Sequence, residues 1–307
     1  MHPEPPIAGA LYPIRKVSEI TGINPVTLRA WERRYGLIKP SRTPKGHRLY
    51  NAGQIALIER ILTLVQQGVS IGQVKRILDS DSPISQTASP FLPEGIDPWE
   101  HYRQRMHQAI SEFDDNALDA AYNDCLSLYP VSLAADRLLR PLMDELTQLD
   151  DPLHQGQRGL LLTYLRNKLG ARFHHQNVQT RGRRLLGAAL PGEAGELELL
   201  LFGLAALPRG NHILMLGCIE PDALPEILPH ADVAALLLFK DATPLPARGA
   251  AKLTALAKQP SVPVFLGGRL THREREKLRG SGAIPLSETL SEAVSEFEAA
   301  LSGEPLR

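Results

Sequence analysis

At 307 residues and 43% hydrophobic content, the chain has room for two or three domains with cores of their own. No uncharged apolar run reaches the length of about eighteen residues that a spanning helix needs, and the N-terminus MHPEPPIAGALYPIRK lacks the basic start and apolar stretch of a secretory signal. The net charge of zero hides an asymmetry: residues 11–80 carry twelve Lys/Arg against four acids, net +8, while the remainder carries 22 basic and 30 acidic residues, net −8, which points to a polyanion partner for that one segment.

Within this basic segment, Ile14, Val17 and Ile20 line one short helical face that ends at Thr21-Gly22. Asn24 is a favourable N-cap and Pro25 a favourable first helical residue. The second helix, about 25–35, is expected to turn Thr27, Arg29, Arg33 and Arg34 outward and Val26, Leu28 and Trp31 inward. Two short helices about a glycine turn, the second rich in arginine, make a helix-turn-helix pattern. Arginine suits the second helix because its planar fork matches guanine edges and phosphate oxygens. Arg42, Lys45, His47, Arg48 and Tyr50 surround a Pro44-Lys45-Gly46 turn, which reads as a basic wing that grips phosphates beside the groove. Ile55, Ile58, Ile61, Leu62, Val65, Ile71, Val74, Ile77 and Leu78 are expected to supply two supporting helices.

Residues 79–98, rich in Ser, Pro and Asp, read as a linker. From Trp99 the pattern is helical again: Trp99, Tyr102, Met106, Ile110 and Phe113 recur at spacings of three and four. Further periodic stretches at about 115–128, 131–149 and 156–174 predict an antiparallel four-helix bundle over 99–178. Beyond it, the strand-length apolar runs 185–190, 212–216, 233–239 and 262–266 alternate with helical patterns at about 195–207, 221–228, 245–257 and 272–279. A last helix is expected at 288–302. That alternation predicts an open parallel sheet over 183–303, covered on both faces. The fold class is therefore multidomain, α followed by α/β.

The run RKVSEITGINPVTLRAWERRYGLIKPSRTPKGHRLYN resembles the winged-helix domain of MerR-type transcription regulators, and within it Ile23 to Asn51 is most similar to the MlrA branch. The resemblance covers about 11–80 and implies a dimer reading a pseudo-palindromic promoter in double-stranded DNA, with RNA polymerase as a further partner. Carried over by position, the DNA contacts would be Arg29, Arg33, Arg34, Arg42, Lys45, His47, Arg48 and Tyr50, joined by Arg15, Thr27 and Tyr35, while Trp31 packs in the core. The long coiled coil and metal-binding cysteines of MerR metal sensors are missing. Cys125 and Cys218 stand alone in the sequence, so no metal site, no disulfide and a reduced cytoplasmic setting are expected.

A helical bundle followed by a flavodoxin-like α/β domain resembles the cobalamin-binding half of the CarH/LitR regulators and of methionine synthase. PGEAGELELL resembles the family loop PGExHELGLL, and PVFLGG, ending at Gly267-Gly268, resembles the glycine pair beneath the nucleotide tail. In that family a loop histidine ligates cobalt, since a neutral imidazole nitrogen suits the metal. Its position here is Gly195. Glu198 stands where a glycine is usual, and the upper-face Trp-x9-Glu-His pattern falls on Gln148, Arg158 and Gly159. The resemblance thus implies a degenerate sensor or assembly domain that has lost cobalamin, its loop marked by Glu193, Gly195 and Glu196. Those carboxylates equally suit a helix N-terminus, where the dipole favours them. The alternative is a cobalamin-dependent regulator sensing light or corrinoids. No enzyme is expected, because no nucleophile–base set, metal cluster or nucleotide fingerprint occurs. The small-molecule ligand is left open and no membrane partner is implied.

Overall fold

A computed structural model describes residues 9–80, 97–148, 151–242, 247–258, 262–270, 274–276 and 282–302. Its internal contacts divide the chain into two compact units, Met1–Arg158 and Gly159–Arg307.

In the first unit, α1 (Ile14–Thr21) ends where Gly22 adopts φ 72° and its N–H donates to the Ser18 carbonyl. Asn24 Oδ1 then accepts from the Val26 N–H at 2.8 Å, with Pro25 opening α2 (Pro25–Ala30). The helix does not stop at Ala30 but widens into one π-helical turn, Trp31–Tyr35, closed by Gly36 at φ 60°. Three short strands, β1 (Tyr12–Pro13), β2 (Ser41–Arg42) and β3 (Arg48–Tyr50), pair antiparallel in the order β1-β3-β2. The β2–β3 turn is the predicted wing, and Gly46 at φ 81° supplies the left-handed residue it requires. A reciprocal capping box between Asn51 and Gln54 starts α3 (Ala52–Gln66), and α4 (Ile71–Ser80) follows. Ile55, Ile58, Ile61, Val65, Ile71 and Val74 are buried as their spacing predicts, whereas Ile77 stays 38% exposed.

The same unit continues with α5 (Pro98–Ser111), capped by Asp97, and α6 (Asp115–Leu128), capped by Asp114. Then come α7 (Val131–Ala134), a π turn at Ala135–Leu139, α8 (Arg140–Thr147) and the start of α9 (Pro152–Asn177). Trp99, Tyr102, Met106 and Ile110 are buried. Phe113 departs from the predicted face: it takes φ 53° and is 50% exposed. The reason is local. The Asp114 N–H donates to the Ala109 carbonyl and reverses the chain, so Phe113 occupies the left-handed position that ends α5.

The second unit holds the rest of α9 and five parallel strands: β4 (Arg183–Ala189), β5 (Asn211–Cys218), β6 (Ala235–Lys240), β7 (Val264–Gly268) and β8 (Ile284–Pro285). Their order is β5-β4-β6-β7-β8. Side chains alternate across the sheet with period two. Leu186, Ala188, Leu236, Leu238, Val264 and Leu266 pack with Leu224 of α11 (Leu224–Ile227) and with Leu253 and Leu256 of α12 (Ala247–Lys258). On the other face, Phe239 and Phe265 meet Phe202 of α10 (Gly195–Ala206) and Phe297 of α13 (Leu290–Leu301). The four strands predicted from apolar runs are present; β8, two residues long, is too short to show as a run. The helix expected at 272–279 lies mostly outside the described residues.

Candidate nucleic-acid interface

The residues singled out in the basic segment fall into three groups. Arg29 and Arg33 on the reading helix, α2 with its π turn (Pro25–Tyr35), and Lys45 and His47 on the wing are exposed, and no described residue pairs with the side chains of Arg33 or Lys45. These groups point into solvent with their charge available. Arg15, on α1, is also exposed and forms a loose ion pair with Glu19 at 3.7 Å.

A second group braces the wing. Glu32, the one acid of the reading helix, accepts from Arg42 at 2.8 Å and from Arg48 at closer range. Burial pulls the Glu32 carboxyl upward, but the hydrogen bonds and positive charge of Arg48 and Arg42 outweigh it and hold the group below the usual carboxylate range. Arg48 is thus a strut between helix and wing, and its side chain is only 18% exposed. A lone acid among arginines, Glu32 carries no spacing signal in the sequence.

The third group is turned away from solvent. Thr27 and Tyr50 are fully buried and Tyr35 is 9% exposed, while Val26 is 52% exposed, so the outward Thr27 and inward Val26 predicted from sequence are exchanged. Burial, followed by the nearby Glu32 charge, pushes the Tyr50 phenol up to about 12. Thr27, Trp31 and Tyr35 recur every four residues and share one helix face. That face is covered because α2 packs against α6. The Trp31 indole N–H donates to the Leu128 carbonyl at 2.8 Å, and Arg34 donates to the Ser127 hydroxyl at 3.3 Å. Trp31 is therefore a core residue, as predicted, but its partner lies 97 residues away in the helical region. The Thr27 hydroxyl has no hydrogen-bond partner among the described residues, an omission that costs about 1–3 kcal/mol in a dry interior.

In the second unit, the residues singled out around the glycine loop also come together. In a sheet ordered 2-1-3-4-5 ligands bind where the strand order reverses, here between the C-terminal ends of β4 and β6. Residues 191–194 leave β4 at that point, and the Leu190 N–H donates to the Phe239 carbonyl at 2.8 Å. Asp241, at the end of β6, accepts from the Ala194 N–H at 2.9 Å and so fills the N-terminus of α10 with this chain's own carboxylate. Arg166 of α9 pairs with Glu196 at 3.2 Å and donates to the Glu193 carbonyl at 3.4 Å. Glu193 itself is exposed, and Glu198 is 1% exposed.

The residues present do not fit a corrinoid held through the loop. Gly195 offers no ligand, and a Cβ there would sit 3.0 Å from the Leu190 carbonyl oxygen. A Cβ at Gly267 would sit 2.6 Å from the Phe239 ring, so packing against that ring is itself a reason for glycine there. Gly268, at φ 88°, lies where a Cβ would be 2.1 Å from the Lys240 carbonyl oxygen, a packing reason for glycine that needs no ligand. Among the described residues no group of three or more His, Cys, Asp or Glu could hold a metal. Nor is any described helix long and apolar enough to cross a membrane. Cys125 is fully buried, which pushes its thiol up and away from reactivity.

Residues 12–81 match the MerR HTH family regulatory protein description, so the N-terminal segment is a MerR-type helix-turn-helix domain. The chain is 36% identical to the HTH-type transcriptional regulator MlrA of Salmonella typhimurium over 152 residues, 50% of this chain and 58% of that one. It therefore spans less than two thirds of that relative. Two longer matches are to Myxococcus xanthus proteins. The HTH-type transcriptional repressor CarH is 27% identical over 69% of this chain and 72% of its own, and the HTH-type transcriptional repressor CarA is 27% identical over 75% and 77%.

Proposed function

We propose that this protein is a sequence-specific, DNA-binding transcriptional regulator of the MerR type, working in the cytoplasm as a dimer or higher oligomer on a pseudo-palindromic promoter. The observation that carries this reading is the set of exposed cations on the reading helix and wing, Arg29, Arg33, Lys45 and His47, on a helix-turn-helix braced by Glu32. Arg33 and Arg29 reach base edges or phosphates in the major groove, and the wing holds flanking phosphates. Arg42 and Arg48 set the angle of the wing and add positive potential.

The C-terminal α/β unit acts in this proposal without cobalamin, as a regulatory or assembly module. Its support is the self-filled loop: Asp241 at the α10 N-terminus, Arg166 on Glu196, and Phe239 against Gly267. Relatives named as transcriptional regulators and repressors favour this reading over an enzyme.

Genome-wide mapping of bound sites identifies the promoter, and anisotropy titration on that DNA then tests the reader. Arg33→Ala is expected to weaken binding by about 1–3 kcal/mol, and affinity is expected to fall steeply with salt as counterions leave the phosphates. An unchanged affinity in the variant together with a flat salt response would remove the basis for a DNA reader.

A further inference from the structure

The covered face of the reading helix has a consequence for how DNA is admitted. α6 carries Asp115, Asp119 and Asp124 and no lysine or arginine. Its C-terminal end meets the reading helix through the Trp31–Leu128 and Arg34–Ser127 hydrogen bonds, and the Asp124 charge acts on Tyr35. A further contact holds the same two parts together. Arg137 donates to the Gln66 carbonyl at 3.2 Å, and Tyr129, which follows α6, is buried. An acidic helix thus lies along one side of a helix whose proposed partner is a polyanion.

We propose that α6 is an intramolecular competitor of DNA: it docks the reading helix in a resting state, and full operator binding requires the N-terminal domain to lift from it. The inference rests on the DNA-reading proposal above. Arg29 and Arg33, on the uncovered side, allow a first encounter with DNA. Tyr35 and Thr27, buried in the docked state, become available only on release, and Arg34, already exposed, is freed there from its hydrogen bond to Ser127. The orphaned Thr27 hydroxyl favours opening, since it gains water or a phosphate oxygen there. A signal that loosens or tightens this docking sets the fraction of chains competent for DNA, and apparent affinity falls in proportion to that fraction.

The test tethers the docked state at a place that does not touch DNA. Gln66→Cys and Arg137→Cys, both exposed positions, are introduced in a full chain carrying Cys218→Ser, and are joined by a short, reductant-cleavable bifunctional thiol reagent. The tethered protein is expected to bind operator DNA about tenfold or more weakly, and cleavage of the linker is expected to restore binding. Equal affinity before and after cleavage overturns the inference. Absence of binding in both states overturns the DNA-reading proposal as well, and the inference falls with it. A second measurement needs no cysteine variant. The Trp31 indole N–H, followed by hydrogen exchange, is expected to be protected in the free chain and to lose protection when operator DNA saturates the protein. Protection that persists at saturation also overturns the docking claim.

Discussion

Glu32 and Asp241 do similar mechanical work in the two units of the chain. Each is a carboxylate reaching from one element to hold a neighbouring loop: Glu32 ties the wing through Arg42 and Arg48, and Asp241 ties the glycine loop through the Ala194 N–H. What surrounds them differs. Beside Glu32 the cations Arg29, Arg33 and Lys45 stand exposed. Beside Asp241, the loop's polar groups are answered by Arg166 and by Asp241 itself, and Phe239 fills the space at Gly267. In the proposed reading the first arrangement leaves charge free for DNA, and the second holds its loop with the chain's own side chains.

The largest effect that could break this contrast lies in the second unit. Phe239, 1% exposed and 4.8 Å from the Phe202 ring, is packed core in this account. Phe239→Ala is expected to cost about 3–5 kcal/mol, read as a lower urea midpoint. A neutral or stabilising result would mean the ring is a movable gate over a binding cavity. A smaller effect sharpens the contrast in the first unit. Glu32→Gln is expected to cost about 2 kcal/mol, because two charge-assisted hydrogen bonds are weakened. The sign of its pH dependence follows from a lowered folded-state carboxyl. The stabilisation is fully present above the ordinary value of 4.5 and is lost as pH falls through the lowered one. Denaturant titrations between about pH 3 and 6 should therefore show a loss on acidification that the variant lacks. An identical pH profile in both proteins would contradict the strut.

Much of this arrangement was legible in the sequence, for reasons that differ along the chain. Asn24-Pro25, the wing glycine and Asn51-x-x-Gln54 are local signals, and local chemistry decides caps and turns. The parallel sheet followed from apolar runs of strand length. Contacts between segments far apart were not legible. Thr27 and Val26 exchanged sides because α6 covers one face of α2, and a helical period shows that a face is apolar without showing which helix lies on it. Asp241 closes the loop from 47 residues away, and Phe113 left its stripe because the end of α5 reverses there. In each case the missing information was tertiary.

The most direct test of the contrast between an open reader and a closed loop is one titration. Full-length protein is titrated against its mapped promoter DNA, with and without added adenosylcobalamin in the dark. Saturable, salt-sensitive binding with the same midpoint in both is expected. A midpoint that shifts with the corrinoid, or no saturable binding in either, would contradict it.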